Sequence, residues 1–136
     1  MTRRKEIVDA VATALNQISV TNGYSTNFSK ITYWQDTDIQ YGFNHLNYRD
    51  TTEEYSRKNT VYDTNLSIEI AAIVYGVEKE IAQELGTLAL ADIIAAIRSM
   101  ILPQCLFDLA RSHKWVETKG KTAVCVELEL IARYKF

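Results

Sequence analysis

Residues 62–101 constrain the fold more than any other stretch of the chain. Over 62–75 the even positions Leu66, Ile68, Ile70, Ala72 and Val74 are apolar, while the odd positions run Asp63, Asn65, Ser67 and Glu69 before turning apolar at Ala71 and Ile73. A period of two places the first set on one face of a sheet, so this segment predicts one long strand. Gly76 breaks it, and a helix is expected over 77–100. Glu78 and Glu80 stand in its first turn and Arg98 in its last, the signs that the helix dipole favours.

That helix is apolar over an unusually wide arc. Ile81, Leu85, Leu88, Ala89, Leu90, Ile93, Ile94, Ile97 and Ile101 spread over more than half its circumference, whereas a single buried face needs a stripe only about 100° wide or somewhat more. Two contacts are expected: its own sheet on one side, and the first helix or a neighbouring subunit on the other. Asp92 projects inside the arc, between Ile81 and Leu85. A buried carboxylate has to be paired or hydrogen-bonded. Asp92 is therefore read as a structural buried polar group held by a backbone amide, a Tyr or an Arg. A catalytic acid there needs a second polar group that the sequence does not locate.

Before this core, residues 3–19 predict an amphipathic helix with Ile7, Val11, Ala14, Leu15 and Ile18 on one face and Thr2 as N-cap. Arg3, Arg4 and Lys5 crowd the positive end of its dipole, either as a solvated start or as a contact for an acidic partner. Thr21-Asn22-Gly23-Tyr24 is turn chemistry, with Gly23 free to take positive φ, and a short strand follows near 30–34. Residues 35–60 show no sustained periodicity and are expected to form a long loop, with 40–46 a possible short hairpin arm. A loop this long in a compact domain is functional or mobile, or the assignment is wrong. It mixes Tyr41, Phe43, Tyr48 and Tyr55 with charges that include Arg49 and Arg57. Such a surface suits contact with another protein or subunit, so these six residues are the candidate interface. The alternative is an excursion that packs its own aromatics.

After the long helix, Pro103 is the only proline, and 104–111 are expected to add one more helical turn. Residues 113–118 read as a strand, Lys119-Gly120-Lys121 as a tight turn, and 122–135 as a second long strand. Its even positions Val124, Val126, Leu128, Leu130 and Tyr134 face one way, and Glu127, Glu129, Arg133 and Lys135 the other. Each long strand spans about 46 Å if straight, against a globule diameter of about 37 Å for a chain of this length. The strands must bend, bulge or project, and a projecting hairpin leaves an edge for another chain.

One domain, 1–136, accommodates all of this. A net charge of −2 argues against a surface built to grip nucleic acid. No apolar run is long enough to span a membrane, and no apolar leader follows the basic start. Cys105 and Cys125 read as two reduced thiols, with a disulfide the alternative. There is no glycine-rich phosphate loop and no G-x-S-x-G. His45 and His113 stand in no metal-ligand spacing with a cysteine. Asp36, Asp38, Glu53 and Glu54 lack the offsets of a calcium loop. No catalytic activity, cofactor or metal is expected.

In length, order and punctuation the chain resembles the tail terminator (tail completion) proteins of long-tailed bacteriophages. The marks are the first helix ending in Ile18, the Asn22-Gly23-Tyr24 turn, the Ala89-Leu90-Ala91-Asp92-Ile93 stretch, and the closing alternation through Tyr134. The resemblance implies an α+β fold: a mostly antiparallel sheet, two main helices packed on one side, and a long terminal hairpin. It further implies a ring, usually hexameric, that caps the tail tube, ends its polymerisation and meets the head–neck connector, with DNA passing through the lumen unbound. Such a protein is made in the host cytoplasm and resides in the virion at the tail–neck junction. Two other readings stay open: another neck or connector ring component, and a small ligand-binding or enzymatic α+β domain built around Asp92 and the tyrosines.

Overall fold

The computed structural model describes residues 2–34, 43–117 and 122–135. The described elements run α1 (Arg3–Leu15), a single 3-10 turn (Val20–Asn22), β1 (Lys30–Tyr33), β2 (His45–Lys58), β3 (Val61–Tyr75), α2 (Lys79–Arg98), β4 (Cys105–Glu117) and β5 (Ala123–Lys135). The strands form one sheet in the order β1-β2-β3-β5-β4, antiparallel except for the short parallel pair β1–β2. Both helices pack on the same face, so the architecture is α+β with a sheet covered on one side.

The alternation in β3 and β5 builds the core. Leu66, Ile68, Ile70, Ala72 and Val74 are buried on the helix side, next to Val124, Val126, Leu128, Leu130, Ala132 and Tyr134 of β5. From above, α1 contributes Ile7, Val11, Ala14 and Leu15, and Ile18 follows just after the helix ends. The N-cap is Thr2, whose hydroxyl accepts from the Lys5 amide. Gly23 closes the 3-10 turn at φ 89°, a conformation that costs glycine nothing. On the open face a smaller cluster forms at one end: Ile73, Ala123 and Cys125 are buried, with Tyr75 and Trp115 against them.

The wide apolar arc of α2 resolves into a narrow seam and two flanks. The side pressed on the sheet is made of small residues, Ala82, Gly86, Ala89 and Ala96, together with Ile93 and Ile97. Leu85, Leu90 and Ile94 flank it, half-buried, and α1 packs alongside. Ile81 is exposed, and Ile101, beyond the helix end, is 93% exposed. Residues 99–104 leave the helix through Gln104, which takes φ 60°.

Two expectations are corrected. Residues 35–60 are not one long loop, because 45–58 form β2, paired along its length with β3. A bulge between Asp50 and Glu53 hid the period: Leu46, Tyr48 and Asp50 face the helices before it, and Glu53, Tyr55 and Arg57 after it. The proposed arm at 40–46 lies largely outside the described residues. Residues 104–111 add no helical turn, since β4 begins at Cys105 and runs the whole edge of the sheet. Its first half carries only a weak alternation because this edge strand is covered in part, through Cys105 and Phe107 on the helix side. Neither cysteine is in a disulfide, as the reading of two reduced thiols expects, with Cys105 on the helix side and Cys125 on the open face. The turn expected at 119–121 lies outside the described residues, though the pair Glu117↔Ala123 places it between β4 and β5.

Strand length is accommodated by bulges at Asp50/Glu53 and Leu109/Arg111, and the tip of the β2–β3 hairpin stands exposed. The distal part of the β2–β3 hairpin carries Glu54, Tyr55, Ser56, Arg57 and Val61 exposed. Its two-residue connection has Asn59 at φ 58°.

The small-residue seam is testable at Gly86. A Cβ there meets the Val124 Cγ1 at 2.5 Å and its Cβ at 3.2 Å. Gly86→Ala gains about 1 kcal/mol of helix propensity, but a β-branched neighbour held in the sheet has little room to turn. Chemical denaturation is expected to show a net loss of about 1–2 kcal/mol, and a stabilised variant would refute the close packing.

Candidate functional site

Two polar constellations and two sheet edges are the features from which a function can be built. The first constellation is centred on Asp92, which α2 presents towards the segment after the 3-10 turn. Asp92 is 6% exposed. Its Oδ1 accepts from the Ser25 amide at 3.1 Å, and its Oδ2 from the Ser25 amide at 3.1 Å and the Thr26 amide at 2.8 Å. The Thr26 hydroxyl donates to Oδ2 as well. Both oxygens are occupied by donors from one short segment, and no second carboxylate or imidazole touches them among the contacts described. The chemistry is that of a clamp: the carboxylate joins two backbone amides that have no strand or helix partner to a helix.

The second constellation lies where the N-terminus of α1 meets β2. Asp50, buried, accepts from Arg4 Nε at 2.6 Å, from Trp34 Nε1 at 3.0 Å and from the Tyr33 hydroxyl. Trp34 takes φ 56°, a left-handed conformation unusual for a bulky residue, just where its indole reaches Asp50. Glu53, across the bulge, accepts from the hydroxyls of Tyr134 and Tyr55 and lies 3.5 Å from the Arg4 guanidinium. Thus four elements converge on one Arg and two carboxylates. A cleft of about 360 Å³ opens beside them, lined in part by Arg4, Tyr33, Tyr48 and Asp50.

Electrostatics follow from this saturation. Burial works against ionisation of Asp50, but the hydrogen bonds from Tyr33, Trp34 and Arg4 outweigh it and hold the carboxyl below its ordinary range. Glu53 behaves the same way: burial opposes its charge, and Tyr134, Tyr55 and Arg4 overcome it. Burial, then the Glu53 carboxylate, push the Tyr134 hydroxyl well above the usual phenol value. Neither carboxylate is poised near neutrality as a general base would be, so the cluster ties elements together. Among the described residues, no group of three or more His, Cys, Asp or Glu is placed to hold a metal. No described helix is long and apolar enough to cross a membrane.

Of the six residues of the candidate interface, the five that are described do not lie in one patch. Tyr41 lies outside the described residues. Phe43 precedes β2 and is partly exposed. Tyr48 turns to the helix side, half-buried, with its ring 5.4 Å from that of Tyr33. Arg49 faces the opposite side and pairs with Glu69 at 2.9 Å. Tyr55 and Arg57 stand near the tip of the β2–β3 hairpin, Tyr55 54% exposed and Arg57 Nε donating to the Asn59 carbonyl. Sequence reading missed Asp50, Glu53 and Tyr33 as a unit, because Tyr33, which bonds Asp50, and Arg4, which Asp50 and Glu53 share, lie in other elements. It expected an open sheet edge but not which strands carry it. β4 has no described strand on its outer side, and β1 covers only His45–Tyr48 of β2. Leu106 on β4 is 70% exposed.

No family model and no curated protein matches the chain. Among solved structures, the fold is shared with a chain of the virion of a native gene transfer agent (GTA) particle, at a TM-score of 0.56 and 13% identity. The match covers 94% of this chain and 93% of that one.

Two outcomes are expected from these constellations. Asp92→Ala leaves the Ser25 and Thr26 amides without their acceptor and should lower the unfolding free energy by about 1–3 kcal/mol; urea unfolding that matches the parent would remove the clamp. For acid, the folded carboxyls of Asp50 and Glu53 have lower pKa values than in the unfolded chain, so the unfolded state binds more protons as pH falls. Their stabilisation is complete above the ordinary carboxylate pKa of about 4 and is lost as pH falls through the lower folded values. Melting temperature should drop below pH about 4, and less steeply in Arg4→Ala, which lacks one of the partners that lower both values. Parallel acid profiles would contradict that assignment.

Proposed function

We propose that this chain is a structural protein of a phage-like virion, whose copies form a ring of six that caps the tail tube, stops its growth and joins the tail to the head–neck complex. The observation that carries the reading is the near-complete overlap of its fold with a chain of a gene transfer agent virion. The form of the subunit supports it. The sheet has two edges that no described strand covers, the tip of the β2–β3 hairpin is exposed, and Ile101 stands exposed just after α2. A subunit with different open surfaces at its two sides is suited to head-to-tail contacts, which make a ring when the rotation between copies closes.

In this reading the mechanism is binding alone. One face of the ring matches the end of the tail tube, and the opposite face accepts the head–neck connector but not another tube subunit. Tyr55 and Arg57 near the hairpin tip are assigned to subunit or partner contact, with Phe43 near the other end of β2. The small net negative charge suits a ring through which DNA slides without being held. The virion likeness alone serves equally for another ring of the neck, a connector component, because both assemble from copies of one small subunit.

Particles made without this protein should contain tail tubes of uncontrolled length that fail to join heads, as seen by negative-stain electron microscopy. Tubes of normal, uniform length lacking only heads would favour the connector reading.

A further inference from the structure

Resting on the ring reading above, we infer that neighbouring copies join by adding strand to strand: the outer edge of β4 in one copy pairs antiparallel with the distal half of β2 in the next. The directions already fit. β2 runs opposite to β3, β3 opposite to β5, and β5 opposite to β4, so β4 and β2 run opposite to each other. Two copies set side by side in the same orientation therefore meet edge to edge as an antiparallel pair, the more favourable geometry.

The side chains fix a register. The β4 bulge lets Leu109 and Arg111 oppose the adjacent β5 residues Leu130 and Glu129, so Leu109 lies on the helix side and Arg111 on the open side. On β2, Tyr55 opposes Thr64 and lies on the helix side, while Glu54 opposes Asn65 and lies on the open side. Placing Tyr55 of one copy across from Leu109 of the next covers two exposed apolar side chains with each other. The same register sets Glu54 across from Arg111. Arg111 already holds Glu129 through Nε at 2.8 Å with its side chain 75% exposed, and its remaining N–H groups are suited to a second carboxylate. An edge of 13 residues with no described strand on its outer side, exposing Leu106, is otherwise a template for uncontrolled pairing.

Charge exchange tests the pairing by sedimentation velocity at micromolar concentration. Glu54→Arg and Arg111→Glu, both at exposed sites, should remain folded by circular dichroism and each weaken assembly about tenfold or more, because like charges then face each other. Assembly should return in the double variant, and also in an equimolar mixture of the two single variants, where every contact again joins opposite charges. Single variants that assemble like the parent overturn the strand pairing while leaving the ring. Loss without rescue overturns it too, and so does rescue of Arg111→Glu by Asp108→Arg, which marks β4 pairing with its own copy around a two-fold axis. A monomeric parent overturns both the pairing and the ring.

Discussion

The depth at which α2 settles onto the sheet governs where everything else on the helix side can lie. Only Ala82, Gly86, Ala89 and Ala96 let the helix axis come so close to β5 that a Cβ at Gly86 would strike Val124. Close approach brings Asp92 within reach of the segment after the 3-10 turn, and the amides of Ser25 and Thr26 close on it. That segment leads into β1, and β1 supplies Tyr33 to the Asp50 cluster. The helix–sheet seam, the carboxylate clamp and the α1–β2 junction thus form one chain of dependence. α1 fits the remaining space with Ile7, Val11 and Leu15 and delivers Arg4 to the two carboxylates.

What could be read in advance divides along a physical line. β3 and β5 were legible because each carries an unbroken period of two with one face fully buried, and α1 because its stripe is regular and capped by Thr2. β2 was not. Its helix-side positions include Asp50 and Glu53, which a hydropathy pattern assigns to solvent. They are inside only because Arg4, the adjacent Tyr33 and Trp34, and Tyr134 converge on them from three other places in the chain. The bulge between them then reverses the phase. β4 was legible only in its second half, read as a strand from 113; its first half, covered in part through Cys105 and Phe107, carries too weak a pattern to find. At Asp92, the sequence pointed to burial and the need for a partner. It did not point to Ser25 and Thr26, whose amides carry no side-chain signature.

The same two strands that escaped the reading in whole or in part carry the proposed assembly. A strand with a strong buried face is committed to its own core, whereas β4 and the distal half of β2 keep backbone groups and mixed side chains turned outward. Their weak sequence signals are what a surface completed by a neighbour leaves behind. On this account the helix layer makes the subunit stable, and the sheet edges make it a component. The fold shared with a gene transfer agent virion chain is consistent with that division.

The most direct measurement of the central claim is a growth assay: purified tail-tube protein polymerising in vitro, with this chain added and tube lengths followed by electron microscopy. The account predicts that elongation stops at once and that a ring-shaped cap is visible on one end of each tube. Tubes that continue to lengthen with uncapped ends, at concentrations where this chain is in excess over tube ends, would contradict it.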